Sequence, residues 1–219
     1  MTAQIEDPIY YKRKRWSLIA STSDFKFDPK DYGLEPISPM TSCWDGYYGE
    51  YSIRKESIVL RKLWICLGWP GYPGTYDKTK QGPVYPQLLG TDVTELKGED
   101  GFPNTFDHYY DLNLEINFTG KMLLGRDFIR EYYIHMGHQQ AWSYETVYEF
   151  EFTDGKLINI IDLSKCVAEL RKDINNNPTF FEDLRSNIPW FVHNSFATDY
   201  ENKAWWIKKY EDLKAYLWQ

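Results

Sequence analysis

The residues best suited to chemistry in this chain lie close together between positions 131 and 138. His135 and His138 are separated by two residues, and Glu131 precedes the first of them by four. Imidazole and carboxylate groups are ligands that zinc takes in a tetrahedral array. Residues i and i+3 of a strand point to opposite faces, so the two imidazoles can meet only if the chain turns at Gly137. A hydrolase or metal-dependent enzyme is therefore one hypothesis, and strand-end histidines that form hydrogen bonds are the simpler one.

The same stretch also allows a ligand-binding face. In an extended strand Glu131, Tyr133 and His135 share one side, and they could hold a small polar ligand if that side lines a pocket. The alternative, which the alternation favours, is that this side faces outward and Tyr132 and Ile134 face the core. The candidate ligand-binding residues are these three, the second histidine and two aromatic residues of an earlier motif: Glu131, Tyr133, His135, His138, Trp44 and Tyr47.

The earlier motif, W-x-G-Y-x-G-x-Y, occurs twice, at positions 44–51 and 69–76. Two copies could form a duplicated aromatic platform for a ligand. A solenoid, however, needs at least three repeats to bury its core, so chance recurrence in a chain rich in Gly and Tyr is the preferred interpretation.

Other catalytic motifs are missing from the sequence. It contains no GxSxG, no P-loop, no GxGxxG and no HExxH, and its three cysteines form no CxxC pair. Glu149 and Glu151 have a spacing that could serve glycoside hydrolysis. Because aromatic residues alternate with them, a solvent-exposed strand face is the preferred interpretation. The sequence therefore nominates no catalytic residue, no metal ligand and no cofactor, and it favours a protein that is not an enzyme.

Composition narrows the class of partner. The net charge of −7 argues against a nucleic-acid binder, which needs a basic face, and the basic run at 12–15 is explained as the protection of an edge strand. No apolar run approaches the roughly 20 residues needed to span a bilayer, and the N-terminus lacks the apolar core of a secretory signal. We therefore expect a soluble cytoplasmic protein without membrane or nucleic-acid partners. An acidic surface would suit a partner protein with a basic surface.

Period-two patterns predict the elements that would position these residues. Val147–Phe152 alternates between aromatic and acidic side chains, Asp154-Gly155 is favoured in a tight hairpin turn, and Leu157–Ile161 supplies the return strand. Further strands are predicted at Ile9–Ala20, Tyr47–Ile53, Ser57–Leu67, Leu112–Leu124 and Arg130–Met136. The last two, joined around 125–127, would complete a four-stranded antiparallel meander with the hairpin.

The chain changes character after this sheet. Ser164 can cap a helix from Lys165 to about Ile174, and capping boxes at Thr179 and Thr198 open two further helices. The prediction is an α+β fold in one domain, 1–219. A predominantly antiparallel β meander or curved sheet, barrel-like if it closes, spans 9–163, and C-terminal helices of 164–219 pack on it.

The segments WDGYYGEYSIRKESIVLRKLWI and FTGKMLLGRDFIREYYIHMGHQQAWSYETVYEFEFTDGKLI resemble two blocks of a family of uncharacterised bacterial proteins. The resemblance covers about a third of the chain and implies a bacterial cytoplasmic protein, with no assigned catalytic residues. The leading functional hypothesis is a non-enzymatic protein-interaction role, such as an immunity-like or adaptor protein. The alternatives are small-ligand or carbohydrate binding in an aromatic-lined cavity of the sheet, and the hydrolase or metal enzyme built on His135, His138 and Glu131.

Overall fold

A computed structural model describes residues 5–68, 84–96, 108–133 and 139–176. This part of the chain is mostly β-sheet, with a single α-helix and three short 3-10 helices, so the β-rich part of the predicted fold is confirmed. The elements in chain order are β1 (Ile9–Tyr11), β2 (Lys14–Ser21), β3 (Tyr47–Arg54), β4 (Ser57–Ile65), β5 (Thr94–Glu95), β6 (His108–Ile116), β7 (Gly120–Phe128), β8 (Tyr144–Thr153), β9 (Lys156–Asp162) and α1 (Ser164–Asn175).

The chain groups into two compact units. The first unit comprises Met1–Arg15 and Phe25–Asn117, and the second comprises Trp16–Asp24 and Phe118–Gln219. Strands β1, β3, β4, β5 and β6 belong to the first unit, and β7, β8, β9 and most of β2 belong to the second.

The strands of the first unit lie in the order β1, β3, β4, β6, β5. The β1–β3 pair is parallel and the other pairs are antiparallel. Strands β3 and β4 form a hairpin whose turn residues, Lys55 and Glu56, have φ values of 46° and 67°. Two successive left-handed residues produce the twist that matches the flanking strands. The predicted hairpin of Tyr47–Ile53 and Ser57–Leu67 is confirmed.

One face of the first sheet is packed with large side chains. Tyr51, Leu60, Leu63 and Tyr110 are all at most 1% exposed. The ring of Tyr51 lies over Gly49, where an added Cβ would come within 2.5 Å of the ring. Glycine is therefore required at that position by close packing, since its φ is an ordinary one.

The strands of the second unit lie in the order β2, β7, β8, β9, and all pairs are antiparallel. Asp154 and Gly155, with φ values of 49° and 74°, form the tight turn between β8 and β9. This hairpin was predicted from the sequence and is confirmed.

The predicted four-stranded meander is wrong in its first half. The single strand predicted at Leu112–Leu124 is divided between β6 and β7. It breaks before Gly120, whose φ of 148° suits glycine, while Phe118 turns into the core. Residues 125–127 lie inside β7, and β7 pairs directly with β8, so the meander has three strands, β7, β8 and β9.

Two other predicted strands also differ from the structure. Arg130–Tyr132 is a 3-10 helix and not part of a strand. Ile9–Ala20 is two strands, because Lys12 and Arg13 take left-handed φ values of 49° and 63° and form a turn.

The predicted helix at 165–174 is confirmed as α1, which begins at Ser164. The Ser164 hydroxyl does not act at the helix start: it accepts a hydrogen bond from the Val147 N–H at 3.1 Å, while Asp162 accepts from the Ser164 N–H. Near the C-terminal end of the helix, the guanidinium of Arg171 donates hydrogen bonds to the carbonyl of Tyr144 and to the carboxylate of Glu145 on β8. The helix and β-strands bury a common core: Ile19, Ala20, Leu123, Ala141, Trp142, Tyr144, Val147, Leu163 and Val167.

The two helices predicted from the capping boxes at Thr179 and Thr198 lie outside the described residues. No helix in the described ranges is long and apolar enough to span a membrane.

Candidate functional site

The most distinctive surface of the first unit is a row of three aromatic side chains on adjacent strands. Tyr48 of β3 is in register with Trp64 of β4, and Trp64 is in register with Tyr109 of β6. All three side chains are half-buried. We call Tyr48, Trp64 and Tyr109 the aromatic ladder.

The rings of the aromatic ladder pack against one another. Tyr48 and Trp64 are stacked, with centroids 6.0 Å apart and planes inclined by 10°. Trp64 and Tyr109 are 4.7 Å apart at 38°. Cross-strand aromatic pairs of this kind stabilise a sheet by roughly 0.2–1 kcal/mol each, so the ladder forms a firm surface.

A second row runs beside the ladder on the same sheet face. Glu50, Lys62 and Asp111 are in register with one another, each two residues from a ladder residue on its own strand. Since side chains at i and i+2 share a face, the two rows form one continuous patch. We call Glu50, Lys62 and Asp111 the charged row.

The charged row contacts the ladder through two different interactions. The indole Nε1–H of Trp64 donates to Oε1 of Glu50 at 2.8 Å. The Lys62 ammonium lies over the rings, 4.4 Å from the centroid of Tyr109 and 5.7 Å from that of Trp64. A cation over an aromatic face is attracted by the ring quadrupole. Both contacts hold the ladder in one arrangement.

Alternation of side chains explains why this patch faces away from the core. Between the two rows lie Gly49, Leu63 and Tyr110, which are in register with each other and buried. The patch must therefore lie on the opposite face of these strands.

The environment of Tyr48 suppresses its ionisation. Burial raises the pKa of this phenol to about 12, and the negative charge of Glu50 adds to the effect, while Arg15 opposes it. At neutral pH the ladder therefore carries a neutral hydroxyl that can donate or accept a hydrogen bond.

The structure does not place Glu131 and Tyr133 on one strand face. Glu131 lies in a 3-10 helix and is exposed, and Tyr133 follows that helix with 41% exposure. A 3-10 helix has three residues per turn, so the period-two argument that aligned these side chains does not hold. His135 and His138 lie outside the described residues. Within the ranges that are described, no group of three His, Cys, Asp or Glu residues could hold a metal ion.

Of the other two predicted site residues, Trp44 lies in the turn before β3 and Tyr47 is the first residue of β3. Trp44 is 57% exposed and precedes Tyr48 by four residues. Tyr47 is half-buried and lies on the face opposite to Tyr48. The neighbouring Cys43 is a free thiol whose pKa is raised by burial. Trp44 is thus accessible to a partner, whereas Tyr47 belongs to the core side. The second copy of the motif, at 69–76, lies outside the described residues.

Glu149, expected on the wet face of β8, is buried at 4% exposure. Its Oε1 lies 2.8 Å from Nζ of Lys121 on β7. The contact is an ion pair, because the ammonium of Lys121 and the carboxylate of Glu149 carry opposite charges at this distance. Glu149 is therefore a buried and paired carboxylate, while Glu151 is half-buried. The wet-face interpretation of this pair is wrong for Glu149.

The face of β8 that carries Phe150 and Phe152 is filled with rings. Phe150 packs against Trp16 with centroids 6.5 Å apart, and Phe152 packs against Phe118 at 5.6 Å. Both phenylalanines are at most 1% exposed. This packing argues against a ligand cavity lined by these residues.

The sequence nominated none of the six residues of the aromatic ladder and the charged row: Tyr48, Glu50, Lys62, Trp64, Tyr109 and Asp111. The sequence did contain the information that places the residues of β3 and β4 beside each other, because both strands and the turn between them are predicted from it. Strand β6 was predicted to start at Leu112, so Tyr109 and Asp111 were left out of the sheet.

Comparison of the chain with protein-family models, with curated proteins and with solved structures finds no match.

Proposed function

We propose that this protein is a non-enzymatic binding protein, and that the aromatic ladder and the charged row form its contact surface for a partner protein with a basic face. The observation that carries the proposal is the register of Tyr48, Trp64 and Tyr109, which puts three half-buried rings in a row across three strands. Trp and Tyr dominate the energy of protein interfaces, because they offer large contact areas at small entropic cost.

Preorganisation supports the same proposal. The Glu50–Trp64 hydrogen bond and the Lys62 contacts fix the patch before any partner arrives. A surface that is already ordered loses little conformational entropy on binding, and this improves affinity.

Charge supports a basic partner. The chain carries a net charge of −7, and both ends of the charged row are carboxylates. Complementary charge steers encounter and excludes partners of like charge. A cytoplasmic location is part of the proposal and is supported by Cys43, Cys66 and Cys166, which form no disulfide.

Quantitative affinity capture from the native cell tests the proposal. The baits are the full chain, the double variant Glu50→Gln/Asp111→Asn, and a control with the same charge change at the exposed residues Glu35→Gln/Asp31→Asn. We expect a stoichiometric partner protein with wild type and control, reduced at least about fivefold with the double variant, as the loss of about 1 kcal/mol would produce. Equal recovery with all three baits, or no stoichiometric partner for any of them, would overturn the proposal.

A further inference from the structure

We infer that the patch recognises two arginine side chains of one extended basic segment, and this inference rests on the proposed binding function. The segment would cross β3, β4 and β6, with one guanidinium at each carboxylate of the charged row. The aromatic ladder would receive the planar faces of the same guanidinium groups.

Lys62 forms no ion pair with either carboxylate of the charged row. It stands between Glu50 and Asp111 in register, yet its ammonium contacts the rings of Tyr109 and Trp64. Neither carboxylate is in an ion pair with any residue of the described part of the chain. The lysine therefore shows that these rings accept a cation, and it leaves both carboxylates available to an incoming one.

Both carboxylates of the charged row have remaining capacity to accept hydrogen bonds. Glu50 accepts from the Trp64 indole through Oε1, and Asp111 has a long contact of 3.4 Å from the amide of Asn113. An ionised carboxylate has about four lone-pair sites on its two oxygens. Each can therefore accept a further charge-assisted hydrogen bond from a basic side chain.

Spacing determines the form of the ligand. Glu50 and Asp111 lie on strands two apart, so their backbones are separated by about 10 Å at the usual strand spacing. In an extended segment, side chains at i and i+2 project to the same side about 7 Å apart, and arginine side chains are long enough to span the difference. An Arg-x-Arg sequence matches the two carboxylates.

The chemistry of the site favours arginine over lysine. A guanidinium is planar, forms two parallel hydrogen bonds with one carboxylate, and stacks on aromatic rings. The patch offers a carboxylate beside a ring at both ends of the charged row: Glu50 is two residues from Tyr48, and Asp111 is two residues from Tyr109. An ammonium could use the charge but not the stacking geometry.

Calorimetric titration of the full chain tests the inference with defined peptides. The probe is acetyl-Gly-Arg-Gly-Arg-Gly-amide, and the matched peptides carry lysine or uncharged citrulline at both arginine positions. We expect the arginine peptide to bind, the lysine peptide to bind several-fold more weakly, and the citrulline peptide to show no measurable binding. In Glu50→Gln/Asp111→Asn the arginine peptide should lose at least tenfold in affinity, while the control Glu35→Gln/Asp31→Asn should keep wild-type affinity.

Each contrary outcome has a definite meaning. No binding of the arginine peptide, or equal affinity for the double variant and wild type, overturns the dibasic inference. If affinity capture still shows a partner that depends on the patch, the proposed function survives that failure.

Sedimentation of the chain alone tests whether a second copy of this chain occupies the patch. The basic residues at 12–15 of that copy would then supply the positive charges. Self-association abolished by the double variant would replace the partner protein with that second copy.

Discussion

The ammonium group of Lys62 lies 4.4 Å from the centre of the Tyr109 ring, although the carboxylate of Asp111 occupies the register position directly opposite Lys62. The lysine thus contacts the ring of a diagonal neighbour instead of the acid beside it. This arrangement leaves two carboxylates, Glu50 and Asp111, beside the half-buried rings on β3, β4 and β6.

The Trp64–Glu50 hydrogen bond should contribute measurably to stability. Trp64→Phe removes the indole donor, and Glu50→Gln removes the charge that strengthens the bond, so each variant should lower the free energy of unfolding by about 1 kcal/mol. A double-mutant cycle by urea denaturation should give a smaller loss for the double variant than the sum of the two. The control Trp44→Phe, at an exposed position, should change stability by less than about 0.5 kcal/mol. Strict additivity would show that the bond is not formed in solution.

Tyr48 should make stability depend on alkaline pH. Its pKa is about 12 in the folded chain and 10.0 in the absence of the fold. The unfolded state therefore releases this proton first, so the stabilisation is complete below pH 10 and is lost as the pH rises toward 12. Two pKa units correspond to about 2.7 kcal/mol, and because the phenol is only half-buried, solvent screening should reduce the loss to about 1 kcal/mol. Tyr48→Phe should abolish this loss, whereas Tyr32→Phe at an exposed site should not. Urea denaturation at a series of alkaline pH values measures the loss, and an identical pH dependence for wild type and Tyr48→Phe would contradict it.

Removal of Lys121 should leave a buried charge on β8. Lys121→Met deprives the Glu149 carboxylate, whose side chain is 5% exposed, of its ion-pair partner. We expect a loss of about 2 kcal/mol in the free energy of unfolding, because an unpaired buried charge is costly. Lys121→Met/Glu149→Leu should recover most of that loss. Urea denaturation midpoints measure these losses, and Lys165→Met is the control at an exposed lysine. A double variant less stable than Lys121→Met would disprove the explanation.

Arg171 should hold α1 on the sheet of the second unit. Its guanidinium donates to the Tyr144 carbonyl and contacts Glu145, and its side chain is 11% exposed. Arg171→Met should cost about 2 kcal/mol, because the Tyr144 carbonyl loses a charged donor. The neighbouring exposed residue gives a matched control, Lys172→Met, which should be nearly neutral. Hydrogen exchange of the α1 amides should rise in the first variant only; equal exchange in both would contradict this role.

Local patterns were sufficient for the two hairpins. The Asp154-Gly155 turn was predicted because Asp-Gly tolerates the left-handed backbone, and the structure has it at that position. The turn at Lys55-Glu56 has the same backbone without the usual residues, so it was predicted only from the strands on either side.

The aromatic ladder depends on information that single strands do not carry. Tyr48 and Trp64 are 16 positions apart, and Tyr109 is 45 further along. Their meeting depends on the register of β4 with β6, a pairing of distant segments that no local pattern specifies. The prediction that Glu131 and Tyr133 share a strand face is wrong for a different reason. It was based on the local alternation of side chains, but the backbone at 130–132 is a 3-10 helix and not a strand.

Site-specific photo-cross-linking in the native cell tests the binding surface most directly. A photoreactive amino acid replaces the exposed Asn113, whose amide contacts Asp111, so that both carboxylates of the charged row are kept. A control variant carries the same amino acid at Ile158, a 58% exposed residue of the second unit. We expect one dominant adduct with a partner protein from position 113, and its loss when Glu50→Gln and Trp64→Phe are added. An adduct from position 113 that persists in those variants, or one formed equally at 158, would contradict a binding role for the ladder and the charged row.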